Sequence, residues 1–192
     1  KFVGHANLPR ALALRSEFYL GKARELLDIE LSPQDLVPPD MTVKDTQELD
    51  LGGRKLRLTA HQTAHTDNDL SVYDDKTDTL WLSDLLFTEH LPSLEGSLKG
   101  WLAEMAKLES QHFTRVIPGH GALVTDWPKA MQPQKDYLAA LLEESRAAVK
   151  KGVFLEDAVK TVGYSFKSRW KLFDEFHPKN ITKAYAELEW ED

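Results

Sequence analysis

The chain has 192 residues, of which 42% are hydrophobic and 29% charged, with no cysteine and a formal net charge of −7. That length supports one domain with a substantial core, and the acidic balance argues against a nucleic-acid partner, since affinity for a polyanion comes largely from neutralised phosphates. Lack of cysteine removes disulfides, thiolate ligands and cysteine nucleophiles together, and no apolar run approaches the roughly 18–20 residues that span a bilayer.

Lys1-Phe2-Val3 reads as the middle of a strand, so upstream sequence, including any signal peptide, is expected to have been removed. Asn7 can cap a helix that begins near Pro9 and runs toward Phe18 and Tyr19, with a second helical piece over residues 22–27. Pro33 and the Pro38-Pro39 pair then impose a turn-rich connection. From Val43 the period changes: Leu49 and Leu51 precede Gly52-Gly53, and Leu56, Leu58 and Ala60 alternate with polar residues, which is a β-hairpin pattern.

Residues 70–73 and 79–82 form a second strand pair across a polar turn. Ser97 opens an amphipathic helix that carries Leu98, Trp101, Leu102, Met105 and Leu108 on one face. Arg115-Val116-Ile117 is a short strand. Beyond Trp127 the pattern is helical, clearest over residues 137–151 with Gly152 as a stop, and Asn180 is placed to cap a last helix carrying Ile181, Tyr185, Leu188 and Trp190. The division expected is an α/β body over residues 1–125 and a helical extension over 126–192.

Three segments carry the chemistry: His65-Thr66-Asp67-Asn68-Asp69, Ser83-Asp84-Leu85-Leu86-Phe87 and Pro118-Gly119-His120-Gly121. Each places a metal-ligand side chain in an expected loop after strand-type residues, in the order His, Asp, His, with gaps of 19 and 36 residues. A zinc hydrolase needs neutral imidazoles and carboxylates held rigidly with a position left for water, and a strand end feeding a short loop supplies that. Taken singly, each has a plain structural explanation: a surface His, a turn-forming Asp, a Pro-Gly turn. It is the combination and its order that point to a metal centre. Of the other histidines, His61 is expected to support the loop of His65, and His112 and His177 to lie on the surface.

These three segments resemble the third, fourth and fifth metal motifs of the metallo-β-lactamase superfamily, with Ser83 in place of the glycine usual before the fourth motif's Asp. The first-half motif of that superfamily, His-x-His-x-Asp-His, is absent from the 192 residues. Two further stretches, residues 90–101 and 180–191, resemble the quinoprotein relay system zinc metallohydrolases, a bacterial group within it. The resemblance implies an α+β sandwich of the αββα type, here lacking its amino-terminal part and bearing a helical carboxy-terminal extension.

It further implies two zinc ions, with iron or manganese as alternatives, His65 on one ion, His120 on the other and Asp84 bridging. Two such ions lower the pKa of a shared water from 15.7 to about 7, and the hydroxide attacks an ester, thioester, amide or lactam-like bond of a small molecule. Thr66 and Asp67 are candidates to orient His65, and His5 and His90 to line the pocket or touch substrate. Four protein ligands would have to come from the absent motif, so the chain alone is expected to be incomplete or inactive. The bacterial group implies a periplasmic location, with the cytoplasm as alternative, and an uncovered sheet face implies self-association. Two other readings stay open: a metal-free binding module that kept the fold without catalysis, and an iron-dependent redox or dioxygenase branch.

Overall fold

The structure is a computed structural model and describes residues 1–191. Its main sheet has five strands in the order β3 (Thr46–Asp50), β4 (Lys55–Ala60), β5 (Leu70–Asp74), β6 (Thr79–Phe87) and β7 (Arg115–His120). The first four run antiparallel, while β7 pairs parallel to β6. A parallel neighbour needs a crossover, and α3 (Leu98–Glu109) provides it. Beside the sheet lies a two-stranded parallel ribbon of β1 (Val3–His5) and β2 (Met41–Val43). The β3–β4 turn follows its sequence: Leu49 pairs with Leu56, and Gly52 and Gly53 both take positive φ.

The expected first helix is divided in two, α1 (Leu8–Leu14) and α2 (Ser16–Leu27), because the backbone leaves helical geometry at Arg15. Asn7 occupies the cap position without a side-chain cap bond, and its amide instead donates to the Asp67 carbonyl at 2.7 Å. Ser97 caps α3 as expected, accepting from Gly100 N at 2.9 Å. The carboxy-terminal helices are α4 (Gln132–Lys150), α5 (Leu155–Thr161) and α6 (Phe173–Leu188).

α6 corrects the sequence reading. It starts seven residues before Asn180, so Asn180 is not a cap but a fully buried mid-helix residue. The buried stripe is Phe173, His177, Asn180, Ile181, Ala184, Tyr185 and Leu188, at helical spacing. Two of its positions are polar, which hid the stripe. His177 is therefore a core residue, 1% exposed rather than on the surface, and Trp190 lies past the helix, 83% exposed.

One core joins all this. Leu80, Leu82 and Val116 from the sheet pack with Leu98, Trp101 and Met105 of α3, with Tyr137 and Leu141 of α4 and with Ile181 of α6. Alternation along β6 turns Trp81 and Ser83 to the other face, where Leu51, Leu56, Leu70, Val72 and Trp81 line an open, mostly apolar groove of about 390 Å³.

Candidate metal centre

Asp84 and His120 sit at the ends of two adjacent parallel strands, and the strands run further than their composition suggests. β6 continues to Phe87 and β7 to His120, so both side chains are strand residues, not loop residues. The pairing is irregular between Trp81 and Phe87, and Ser83 has φ +55°. That left-handed bend, of the kind glycine adopts most readily, turns the strand just before Asp84. Gly119 is there for closeness: a Cβ on it would fall 1.8 Å from Asp84 Oδ1 and 2.8 Å from both Asp84 N and Ser83 C.

His65 reaches the same place from the loop after β4. Its Nε2 is 3.7 Å from Asp84 Oδ2, and His120 Nε2 is 3.6 Å from Asp84 Oδ1. The two imidazoles thus face the two oxygens of one carboxylate. Rings pack the cluster: His120 stacks on Phe87 at 4.6 Å, while His65 lies against Phe87 and Trp101.

Hydrogen bonding assigns the nitrogen of His65 that can bind. Its Nδ1 is 2.6 Å from the Ser93 carbonyl, which can only accept, so Nδ1 carries the proton. In the neutral ring Nε2 then holds a lone pair directed at Asp84. A lone pair facing a carboxylate oxygen at 3.7 Å is beyond hydrogen-bond distance, and two acceptors facing one another suit a cation between them. Burial pushes the His120 imidazole below its ordinary pKa, with Asp84 opposing, which favours the neutral form a ligand needs.

The spacing fits an ion: two donors each about 2.0–2.1 Å from zinc at a tetrahedral angle stand roughly 3.4 Å apart. The number of donors does not. Each position receives one imidazole and one carboxylate oxygen, against the four ligands usual for zinc, and among the described residues no group of three or more metal-binding side chains is gathered at one point. The described residues thus offer two imidazoles and one shared carboxylate at metal-compatible spacing, and do not by themselves complete a zinc site.

Neither Thr66 nor Asp67 hydrogen-bonds to the His65 ring. Thr66 N and Oγ1 donate to Asp69, at 2.9 and 2.6 Å, and Asp67 points outward to Arg10 at 3.4 Å. Asp69 is the brace that sequence reasoning passed over. Burial pushes its pKa up while the bonds from Thr66 pull against the shift. His5 and Thr66 line a cavity of about 470 Å³ beside His65 and Asp84, under Phe18 and Tyr19 of α2. The Asn7 backbone N–H donates to His5 Nδ1 at 3.0 Å, so neutral His5 carries its proton on Nε2. His90 lies edge-on to His120 at 4.5 Å and stacks on Phe176.

A second constellation has the order of a catalytic triad. Ser71 Oγ is 2.7 Å from His61 Nε2, and His61 Nδ1 is 3.0 Å from Glu104. Burial opposes ionisation of Glu104, but Lys107 and His61 together hold its pKa below the usual carboxylate value. Ser71 is only 3% exposed, closed to any substrate, and His61 supports the loop from β4 as expected: its backbone N–H donates to the Asp69 carbonyl at 3.0 Å.

The sequence matches no family model and no curated protein. The fold, however, has solved counterparts. The stereoselective inverting sec-alkylsulfatase Pisa1 from Pseudomonas sp. superposes with a TM-score of 0.64 at 16% identity, over 81% of this chain and 27% of that one. A metallo-β-lactamase family protein from Thermus thermophilus superposes with a TM-score of 0.62 at 17% identity, over 99% of this chain and 65% of that one. The fold is metallo-β-lactamase-like. The sheet and helix layers agree with the α+β architecture expected from sequence, and the chain spans less than two thirds of the length of each of these proteins.

Proposed function

We propose that this chain is the part of a metallo-β-lactamase-fold hydrolase that carries the bridging side of a two-zinc centre. The observation supporting it is the placement of His65 and His120 at 3.7 and 3.6 Å from opposite oxygens of Asp84. The ions, when bound, would supply a hydroxide nucleophile near neutral pH and polarise the bond under attack. The chain's own residues do the rest. Asp84 would hold the ions together with His65 and His120, the Ser93 carbonyl keeps the His65 proton on Nδ1, and the Phe87 ring packs against His120. The cavity beside them has room for a small molecule, and His5, which lines it, would carry its proton on Nε2 when neutral. The substrate proposed is a small molecule with an ester, thioester, amide or lactam-like bond.

Kinship with the quinoprotein relay metallohydrolases, and with it a periplasmic site of action, remains part of this reading. It rests on the resemblance of residues 90–101 and 180–191 to that group; in the fold these two stretches are in contact, through Asn180 to Pro92 and Leu94 and through Glu187 to Ser97 and Leu98. The test compares this chain with a form extended by a His-x-His-x-Asp-His segment, measuring zinc stoichiometry and hydrolysis. Extension is expected to raise zinc affinity by orders of magnitude and create activity, and Asp84→Ala to remove most of it. An extended protein whose zinc binding ignores Asp84→Ala would leave the metal-free binding module as the better reading.

A further inference from the structure

We propose that Asn180, backed by Tyr137 and His177, is a positioning residue that sets the direction of the His65 imidazole; its value for catalysis rests on the reading of His65 as a ligand. The Asn180 side chain is fully buried. Its Oδ1 accepts from Leu94 N at 2.8 Å and its Nδ2 donates to the Pro92 carbonyl at 2.7 Å. Those two groups flank Ser93, whose carbonyl receives His65 Nδ1–H at 2.6 Å. Pinning the backbone on both sides of Ser93 fixes where that carbonyl points, and hence which tautomer and orientation His65 adopts.

The network behind Asn180 has a single sense. The Val162 carbonyl can only accept, so His177 Nε2 donates to it at 2.8 Å and Nδ1 is left as an acceptor. Tyr137 O–H therefore donates to His177 Nδ1 at 3.0 Å, and its oxygen accepts from Asn180 Nδ2 at 3.0 Å. Every proton from Val162 to His65 is thereby assigned. Burial pushes the Tyr137 pKa up and the His177 pKa down, so both stay neutral as the network requires.

The same loop is held at a second point. Glu187 accepts from Ser97 Oγ at 2.7 Å and Leu98 N at 2.6 Å, while Glu95 N and Gly96 N donate to the His65 carbonyl at 3.0 and 2.7 Å. Helix α6 thus holds the segment that wraps His65, although it contributes no side chain to the cluster itself.

The experiment reads the tautomer of His65 directly, by long-range ¹H–¹⁵N correlation in the protein without metal. Wild type should show the Nδ1–H tautomer alone. Asn180→Ala should shift His65 toward a mixture with the Nε2–H form, whereas Leu141→Ala, which loosens the same helical core but removes no hydrogen bond to the loop, should leave it unchanged. A folded Asn180→Ala protein with an unaltered His65, or an equal shift in Leu141→Ala, overturns the proposal. If Asn180→Ala does not fold, Tyr137→Phe, which removes the oxygen that backs Asn180 Nδ2, decides in its place: a shift supports the proposal and none overturns it. In the extended form, zinc affinity should fall about tenfold with Asn180→Ala. If wild-type His65 ignores zinc altogether, the ligand reading fails while the tautomer result still decides the positioning role.

Discussion

Gly119→Ala isolates the close approach on which the cluster depends. The new Cβ would fall 1.8 Å from Asp84 Oδ1, which can swing away, and 2.8 Å from Asp84 N and Ser83 C, which cannot move independently of β6. To reach ordinary contact the two strands must part by roughly half an ångström, the kind of overpacking that costs about 1–3 kcal/mol. For a chain of this size each kcal/mol lowers the melting temperature by about 2–4 °C, so a drop of roughly 2–12 °C is expected in a thermal melt followed by circular dichroism. Asp84 should rotate out of line with both imidazoles at the same time, weakening zinc binding in the extended form. Gly21→Ala is the control of opposite sign: it lies inside α2 with nothing within 4 Å of the added carbon, and should stabilise by about 0.5–1 kcal/mol. If Gly119→Ala melts with wild type and keeps its zinc affinity, the glycine does not serve strand approach and the reasoning fails.

Ser83→Gly removes a non-glycine from φ +55°; relief of about 1–2 kcal/mol less about 0.5–1 kcal/mol for the entropy of a new glycine leaves a net gain of up to about 1.5 kcal/mol. The urea midpoint reads it, and a fall would mean that the serine contributes more than its strain costs. Arg54, then Thr77, hold the Asp74 carboxyl well below the usual range, at about 2. Because the folded-state value is depressed, this stability is present above the unfolded value of about 3.9 and is lost as pH falls from there toward 2; Asp74→Asn should flatten acid unfolding in that window, and an unchanged profile would remove Asp74 from the account. Trp81 is 37% exposed on the apolar groove, so self-association between two such faces should diminish in Trp81→Glu by sedimentation velocity, whereas identical sedimentation would locate any association elsewhere.

The elements most legible from sequence were those with local cues. Alternation around Gly52-Gly53 and the Ser97 cap lead directly to β3, β4 and α3. The three metal-ligand segments stood out because they pair ligand side chains with strand ends, and the structure brings His65, Asp84 and His120 to one place. What was not legible depends on tertiary context. β6 continues past Leu82 through a left-handed Ser83, a bend that no propensity marks in a serine. Asn180 and His177 look like surface or capping residues until partners from other elements satisfy them in the core. The partner that orients His65 is a backbone carbonyl, which leaves no trace in residue identity, so Thr66 and Asp67 were the nearest candidates by sequence.

The most direct measurement of the central claim is a zinc titration of this chain followed at the histidine ring nitrogens by NMR. Zinc should perturb Nε2 of both His65 and His120, weakly because each position has only two donors, and Asp84→Ala should abolish the response at both. Response at only one of the two, persistence in Asp84→Ala, or perturbation confined to histidines outside the cluster such as His112 would contradict a bridging carboxylate between two metal positions.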